Sequence, residues 1–226
     1  VDVVELEEGG VRAMEVLHAG RANPLDDPRV RLHLNDGRNV LLRARHARGD
    51  GGWDLIASPP SHPWLIGAAN LFTEEFFGLA RDALRPGGAF ALWVNGFRTD
   101  REALLAMMNS FERVFPGALV ADVSENHGRS AFLLLGQRDP APLDPERMAR
   151  RLAASELVPL LAHHRLDGVP ALLARFEGPV SAFARQAGGA RNTDDNAFVE
   201  TRIPRRLAWH GLDWPRIESA LPDDVP

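Results

Sequence analysis

The chain has 226 residues, 45% hydrophobic and 25% charged, with a formal net charge of −5. That length supports one large domain, or a medium domain with an appendage, burying roughly 70% of the unfolded surface, and the mild acidity excludes a broad electrostatic case for binding nucleic acid. Cysteine and tyrosine are absent, which rules out disulfides, thiolate metal sites and cysteine nucleophiles and fits a reducing, cytoplasmic setting. No apolar run approaches the ~20 residues of a membrane span and no signal peptide opens the chain, so a soluble protein is expected.

Val1-Asp2-Val3-Val4-Glu5-Leu6 reads as a strand from the first residue, with no initiator methionine, as in a chain cut from something longer. A weak helix over 9–20 carries Val11, Met14 and Leu17 on one face and is broken by Asp27-Pro28. Residues 30–34 alternate as a strand should and end in the turn signal Asn35-Asp36-Gly37. A short helix over 40–48 and the connector Gly49-Asp50-Gly51-Gly52 lead to the stretch with the clearest pattern.

That stretch begins with a short apolar strand over 54–58, ended by Pro59 and Pro60, which have no N–H for further sheet pairing. A loop at the carboxyl end of such a strand is where open parallel sheets bind ligands. From 71 to 84 apolar residues recur at helical spacing, with Thr73, Glu74 and Glu75 in the first turn, where acids suit the helix dipole. Arg85-Pro86-Gly87-Gly88 stops the helix, and the apolar run 89–94 suits a strand buried on both faces. A further helix over 103–115 has Thr99 or Asp100 as its cap. Strands over 118–123 and 130–135 follow; their short connection implies an antiparallel hairpin at the sheet edge. The alternation of strand and helix predicts an α/β, doubly wound, mostly parallel sheet.

Beyond Gln137 the chain is Pro-rich and then helical, with short segments over 146–152, 156–163, 169–176 and 180–187, the first capped by Asp144 with Pro145 next. A polar loop, Arg191-Asn192-Thr193-Asp194-Asp195-Asn196, precedes an apolar segment over 198–203 and a last short helix. The expected organisation is a sheet domain over 1–138 and a small helical extension over 139–226 packed on it.

Glu5, Asp36 and the loop Ser58 to His62 all end strands, so they line one edge of a parallel sheet. Carboxylates there can accept hydrogen bonds from ribose hydroxyls or an adenine amino group; equally, each can cap a turn. His62 can serve as a base because imidazoles ordinarily titrate near neutrality, or it can be a loop residue bonded to backbone. Trp64 can wall a ligand site or pack under the loop. Asp194 and Asp195 can attract a cationic polyamine or a metal, or cap the turn before Phe198. Asn95, ending its strand, can contact substrate. His127 reads as a hairpin residue, the neighbours His163 and His164 make a poor metal pair, and Arg202, Arg205 and Arg206 read as a solvated face. No metal site is expected.

Val4-Glu5-Leu6-Glu7, DPRVRLHLNDGRN at 27–39, WDLIASPPSHPW at 53–64, NLFTEEFFGLARDALRPGGAFALWV at 70–94 and NTDD at 192–195 together resemble the spermidine-synthase-like family. These are polyamine aminopropyltransferases on the class I methyltransferase (Rossmann-like) fold. The resemblance runs from Val1 to about Gln137 and is strongest to bacterial proteins in which such a domain follows a membrane segment. It implies that Glu5 holds the ribose of the donor, decarboxylated S-adenosylmethionine or S-adenosylmethionine itself, that Asp36 and Gly37 contact its adenine, and that Ser58 to His62 form the catalytic loop. A polyamine acceptor and a homodimer are implied as well.

The chain departs from the family at two places. Aminopropyltransferases carry an aspartate, which accepts the proton of the attacking amine, at the position of Pro59, and a second acid at that of His62. Losing such a base typically costs 10²–10⁴-fold. The family's first strand and Gly-rich loop are expected ahead of Val1, with that strand between those starting at Val1 and Asp54. The expected function is therefore donor binding with aminopropyl transfer; a non-catalytic nucleotide- or polyamine-binding module of a membrane-fused protein and a methyltransferase for another acceptor stay open.

Overall fold

A computed structural model describes residues 1–47, 52–60, 62–65, 67–96, 99–124 and 131–210. The chain divides into two compact units, Val1–Gly52 and Trp53–Pro226.

The first unit is a β-α-β-α run: β1 (Asp2–Glu5), α1 (Glu8–Leu17), β2 (Arg31–Leu34) and α2 (Gly37–Ala47). β1 and β2 pair in parallel, from Asp2 opposite Arg31 to Glu5 opposite Leu34. The Asn35 N–H donates to the Glu5 carbonyl at 2.9 Å, carrying the pairing one step past β2. α2 starts three residues before the expected position because Asp36 accepts from the Arg38 N–H at 2.7 Å, converting the expected turn into a helix start.

The second unit holds a five-stranded sheet in the order β3-β4-β6-β5-β7. β3 (Trp53–Ser58) and β4 (Leu84–Asn95) are parallel, joined through a 3₁₀ turn at Ala68–Phe72 and α3 (Glu74–Ala83). α4 (Arg101–Val114) leads to β5 (Leu119–Asp122) and β6 (Ala131–Gln137), which pair antiparallel with each other, β6 also antiparallel with β4. The α/β class is as expected, with a mixed sheet. Among the described residues β1 pairs only with β2, and β3 only with β4.

Several boundaries differ from the sequence reading for identifiable reasons. Leu71 and Phe72 belong to the 3₁₀ turn, and α3 starts after Thr73, whose hydroxyl accepts from the Phe76 N–H. β4 starts at Leu84, ahead of the Pro-Gly-Gly sequence, because Leu84 pairs with Trp53 across a register shift. Gly88 makes this possible, since a Cβ there would lie 2.9 Å from the Trp53 carbonyl oxygen. The hairpin is not the sheet edge. β7 (Phe176–Pro179) pairs antiparallel with β5 and takes that place, its proline fitting an edge position.

The helices after β6 are α5 (Pro145–Ala153), α6 (Val158–His163), α7 (Gly168–Leu173), α8 (Val180–Ala184) and α9 (Phe198–His210). α9 is a helix running through Pro204 that takes in the expected apolar segment over 198–203; the acidic tail in which the last short helix was expected to end lies outside the described residues. Val199 and Ile203 are buried, and Arg202 joins Asp100 at 3.0 Å and Glu102 at 2.6 Å. Arg202 is thus ion-paired to the start of α4 and is not part of a solvated basic face.

The core lies between α3, β4 and α4. Phe77 meets Phe111 edge-on at 5.1 Å, and Phe90 stacks on Phe115 at 5.6 Å. All four are fully buried, each removing a large apolar area from water. No helix among the described residues is long and apolar enough to cross a membrane.

Candidate functional site

Because β3 and β4 are parallel neighbours, their carboxyl ends, Ser58 and Asn95, share one edge of the sheet. The loop leaving Ser58 is shaped by its prolines. Pro63 occupies the second position of a turn closed by the Leu65 N–H donating to the His62 carbonyl at 3.0 Å, where a fixed φ favours turning. Pro60 and Pro63 are buried, whereas Pro59 is exposed and His62 and Trp64 are half-buried.

This turn folds His62 back onto its own loop. The imidazole stacks on the Trp64 ring at 4.5 Å with 4° between planes. Its Nδ1 lies 2.5 Å from the Asn95 amide Nδ2. Asn95 is itself anchored: it is the last residue of β4, paired opposite Ala131, and its carbonyl accepts from the Thr99 hydroxyl at 2.9 Å. Two of the expected site residues, His62 and Trp64, are thus brought together with a third, Asn95. Ser58 ends β3 at the base of the same loop; Ser61 is outside the described residues.

In the first unit, Glu5 and Asp36 sit at the carboxyl ends of parallel neighbours. Each carboxylate also caps its own turn: Glu5 accepts from the Glu7 N–H at 2.9 Å and Asp36 from Arg38 as above. Gly37 is the first residue of α2.

The 192–195 segment lies at the start of α3. Asn192, almost fully buried, donates from Nδ2 to the Phe72 carbonyl and accepts at Oδ1 from the Val199 N–H, at 2.9 and 3.0 Å. Its backbone carbonyl accepts from the Glu74 N–H and the Ser110 hydroxyl. Before Phe198, the Asn196 Oδ1 accepts from the N–H groups of Thr193 and Phe198. Both aspartates are exposed, and the Asp194 N–H donates to Glu75 at 2.8 Å. Among the described residues no group of three or more His, Asp or Glu could hold a metal. His163 and His164 meet edge-on at 5.2 Å, and His127 is outside the described residues.

Sequence reasoning named Asn95 only as a substrate contact and missed its pairing with His62. It saw Asn192 as part of a motif and missed that the side chain is a buried tie.

Residues 1–124 match the family model of the spermine/spermidine synthase domain. A polyamine aminopropyltransferase of Aeropyrum pernix is 26% identical over 115 residues, covering 50% of this chain and 35% of the relative. Putrescine N-methyltransferase 1 of Nicotiana tabacum is 30% identical over 120 residues, covering 53% of this chain and 30% of the relative. The chain thus spans about a third of the length of these curated relatives. The crystal structure of spermidine synthase from Thermotoga maritima superimposes with a TM-score of 0.56 at 19% identity, covering 84% of this chain and 59% of that one, a likeness of fold.

Proposed function

Because the chain belongs to the spermine/spermidine synthase family, we propose that it binds an adenosylmethionine-type donor and transfers an alkyl group from it to an amine, with aminopropyl transfer to a polyamine as the leading case. The observation that carries the reading is the His62 ring held by Asn95 and Trp64 at the carboxyl edge of β3 and β4. A proton acceptor at this position has the family's task, although Pro59 lacks the expected side chain. Glu5 is the proposed ribose contact, and Asp36, Gly37 and Ser58 are further donor contacts. Trp64, Asp194 and Asp195 are the proposed amine contacts.

The chemistry needs little covalent help. The amine nitrogen attacks the donor carbon bonded to sulfur, the carbon–sulfur bond breaks, and its electron pair neutralises the sulfonium. The nitrogen gives up its extra proton to His62. Alignment supplies most of the rate in such a displacement, and the base contributes a further 10²–10⁴-fold.

Pro59 favours a second reading, a module that binds donor or polyamine without turning it over. Similarity to a putrescine N-methyltransferase supports methyl transfer as a third. Calorimetry of the full chain with S-adenosylmethionine, its decarboxylated form and methylthioadenosine separates these, followed by product analysis with putrescine. Donor heat with aminopropyl product supports the leading case; methylated product supports the third reading. Heat without turnover leaves the binding module, and no heat from any donor rejects the proposal.

A further inference from the structure

We infer that Asn95 is a positioning residue for His62, and that the orientation of its amide decides whether the histidine's other nitrogen, Nε2, works as a donor or as a base. The inference rests on the reading of His62 as the group that takes the amine's proton. Its geometric basis is separate, because the Asn95 and His62 side chains meet at 2.5 Å between Nδ2 and Nδ1.

The amide's two ends have opposite hydrogen-bonding character. In the arrangement found, the Asn95 Nδ2–H donates to His62 Nδ1. Nδ1 then holds a lone pair, and in the neutral ring the proton sits on Nε2, which makes Nε2 a donor. Turning the amide by about half a revolution puts Oδ1 in the same place. Oδ1 only accepts, so the proton moves to Nδ1 and Nε2 gains the lone pair a base needs. The partner of one imidazole nitrogen fixes the role of the other.

The surroundings hold the two side chains against each other. Asn95 is 9% exposed, its backbone belongs to β4, and its carbonyl is tied to Thr99. Trp64 lies flat against the imidazole, 4.5 Å away, which limits tilting of the ring. The Asn95 amide therefore meets the imidazole from a fixed backbone position. In the turned state Nε2 takes the proton from the alkylated nitrogen, and the resulting imidazolium donates from Nδ1 to Asn95 Oδ1. The proton passes from nitrogen to nitrogen, and the ring returns to neutral by losing it to water.

The test uses the full chain labelled with ¹⁵N, with the His62 ring signals assigned by their loss in His62→Gln. Long-range proton–nitrogen spectra report which ring nitrogen is protonated. The expected result is the Nε2–H form in the wild type, the Nδ1–H form in Asn95→Asp, whose carboxylate only accepts, and a mixture in Asn95→Ala. Identical ring signals in all three overturn the inference; if Asn95→Ala does not fold, the near-isosteric Asn95→Asp decides it against wild type. In turnover, Asn95→Ala is expected to lose roughly 10–100-fold in kcat at unchanged KM, with Asn95→Asp restoring most of it. Equal losses in both variants overturn the inference, since plain packing would produce them. Wild-type turnover in His62→Gln removes the base reading, while the spectra still decide whether Asn95 sets the tautomer.

Discussion

Asn192 donates its amide Nδ2–H to the Phe72 carbonyl at 2.9 Å, tying together residues 120 apart in the chain. The other end of the same amide accepts from the Val199 N–H, so one side chain links the turn before α3 to the first turn of α9. Both bonds are buried, and truncation leaves a carbonyl and an N–H without partners, at about 1–3 kcal/mol each. Asn192→Ala is therefore expected to lower unfolding free energy by ~2–4 kcal/mol in urea, with little change in m-value. Exposed Asp195, three residues on, is expected to tolerate alanine within about 0.5 kcal/mol. A polyamine-binding defect in Asp195→Ala without a stability defect would separate the motif's ligand contact from its structural tie.

Gly136 faces Phe115 so closely that a Cβ would lie 2.4 Å from the ring's Cγ. Phe115 cannot easily yield, because it packs on both Phe90 and Phe111 at 5.6 and 5.1 Å. Gly136→Ala is expected to destabilise by about 1–3 kcal/mol through overpacking. Thermal unfolding measures this, and Gly136→Ala combined with Phe115→Leu, which opens room beside β6, should lose less than the sum of the two single changes.

Burial pushes the Glu112 carboxyl above its ordinary range, the effect outweighing the Gly117 N–H bond and the nearby Arg185 charge that oppose it. One oxygen accepts from Gly117 at 3.1 Å, and the other is buried without a described partner. A carboxyl with a raised pKa binds its proton more tightly when folded. Its contribution is complete below the unfolded carboxylate pKa and is lost as pH rises through the folded value. Glu112→Gln keeps an acceptor for Gly117 and cannot ionise. Its melting temperature is expected to exceed that of wild type at neutral pH, with the difference shrinking toward pH 4; an equal difference at both pH values would refute the assignment.

What the sequence revealed follows from how local each signal is. β3, α3 and β4 were readable because an apolar run, a helical repeat and a second apolar run each carry their own pattern. β7 was not, since Phe176-Glu177-Gly178-Pro179 has neither alternation nor strand propensity and forms a strand because β5 offers it an edge. The apolar segment over 198–203 was visible, but not that it opens α9, whose first turns are anchored by the buried Val199 and Ile203 and by the pairing of Arg202 with Asp100, far away in the chain. In the candidate site, His62 and Asn95 were each visible, but their meeting was not. They are 33 positions apart and come together because β3 and β4 are parallel neighbours ending at one edge. The capping bonds of Glu5 and Asp36 were readable as turn chemistry, because they reach only two residues along the chain.

Pro59 directly follows β3 and is exposed, so its replacement neither opens a cavity nor breaks a buried contact. Aspartate there would supply the carboxylate that the resemblance to aminopropyltransferases leads one to expect beside the attacking amine. Pro59→Asp should lose about 0.4–1 kcal/mol of stability, because the unfolded chain regains backbone freedom. Against that small loss, alkylation of putrescine is expected to rise by roughly 10²-fold or more in kcat, with donor affinity by calorimetry unchanged. In the Pro59→Asp, His62→Gln double variant the gain should persist, since the new carboxylate would take the proton that His62 otherwise receives. Unchanged turnover with intact donor binding would show that a carboxylate here adds nothing to what His62 supplies, and no turnover in either chain would turn the choice toward the binding module.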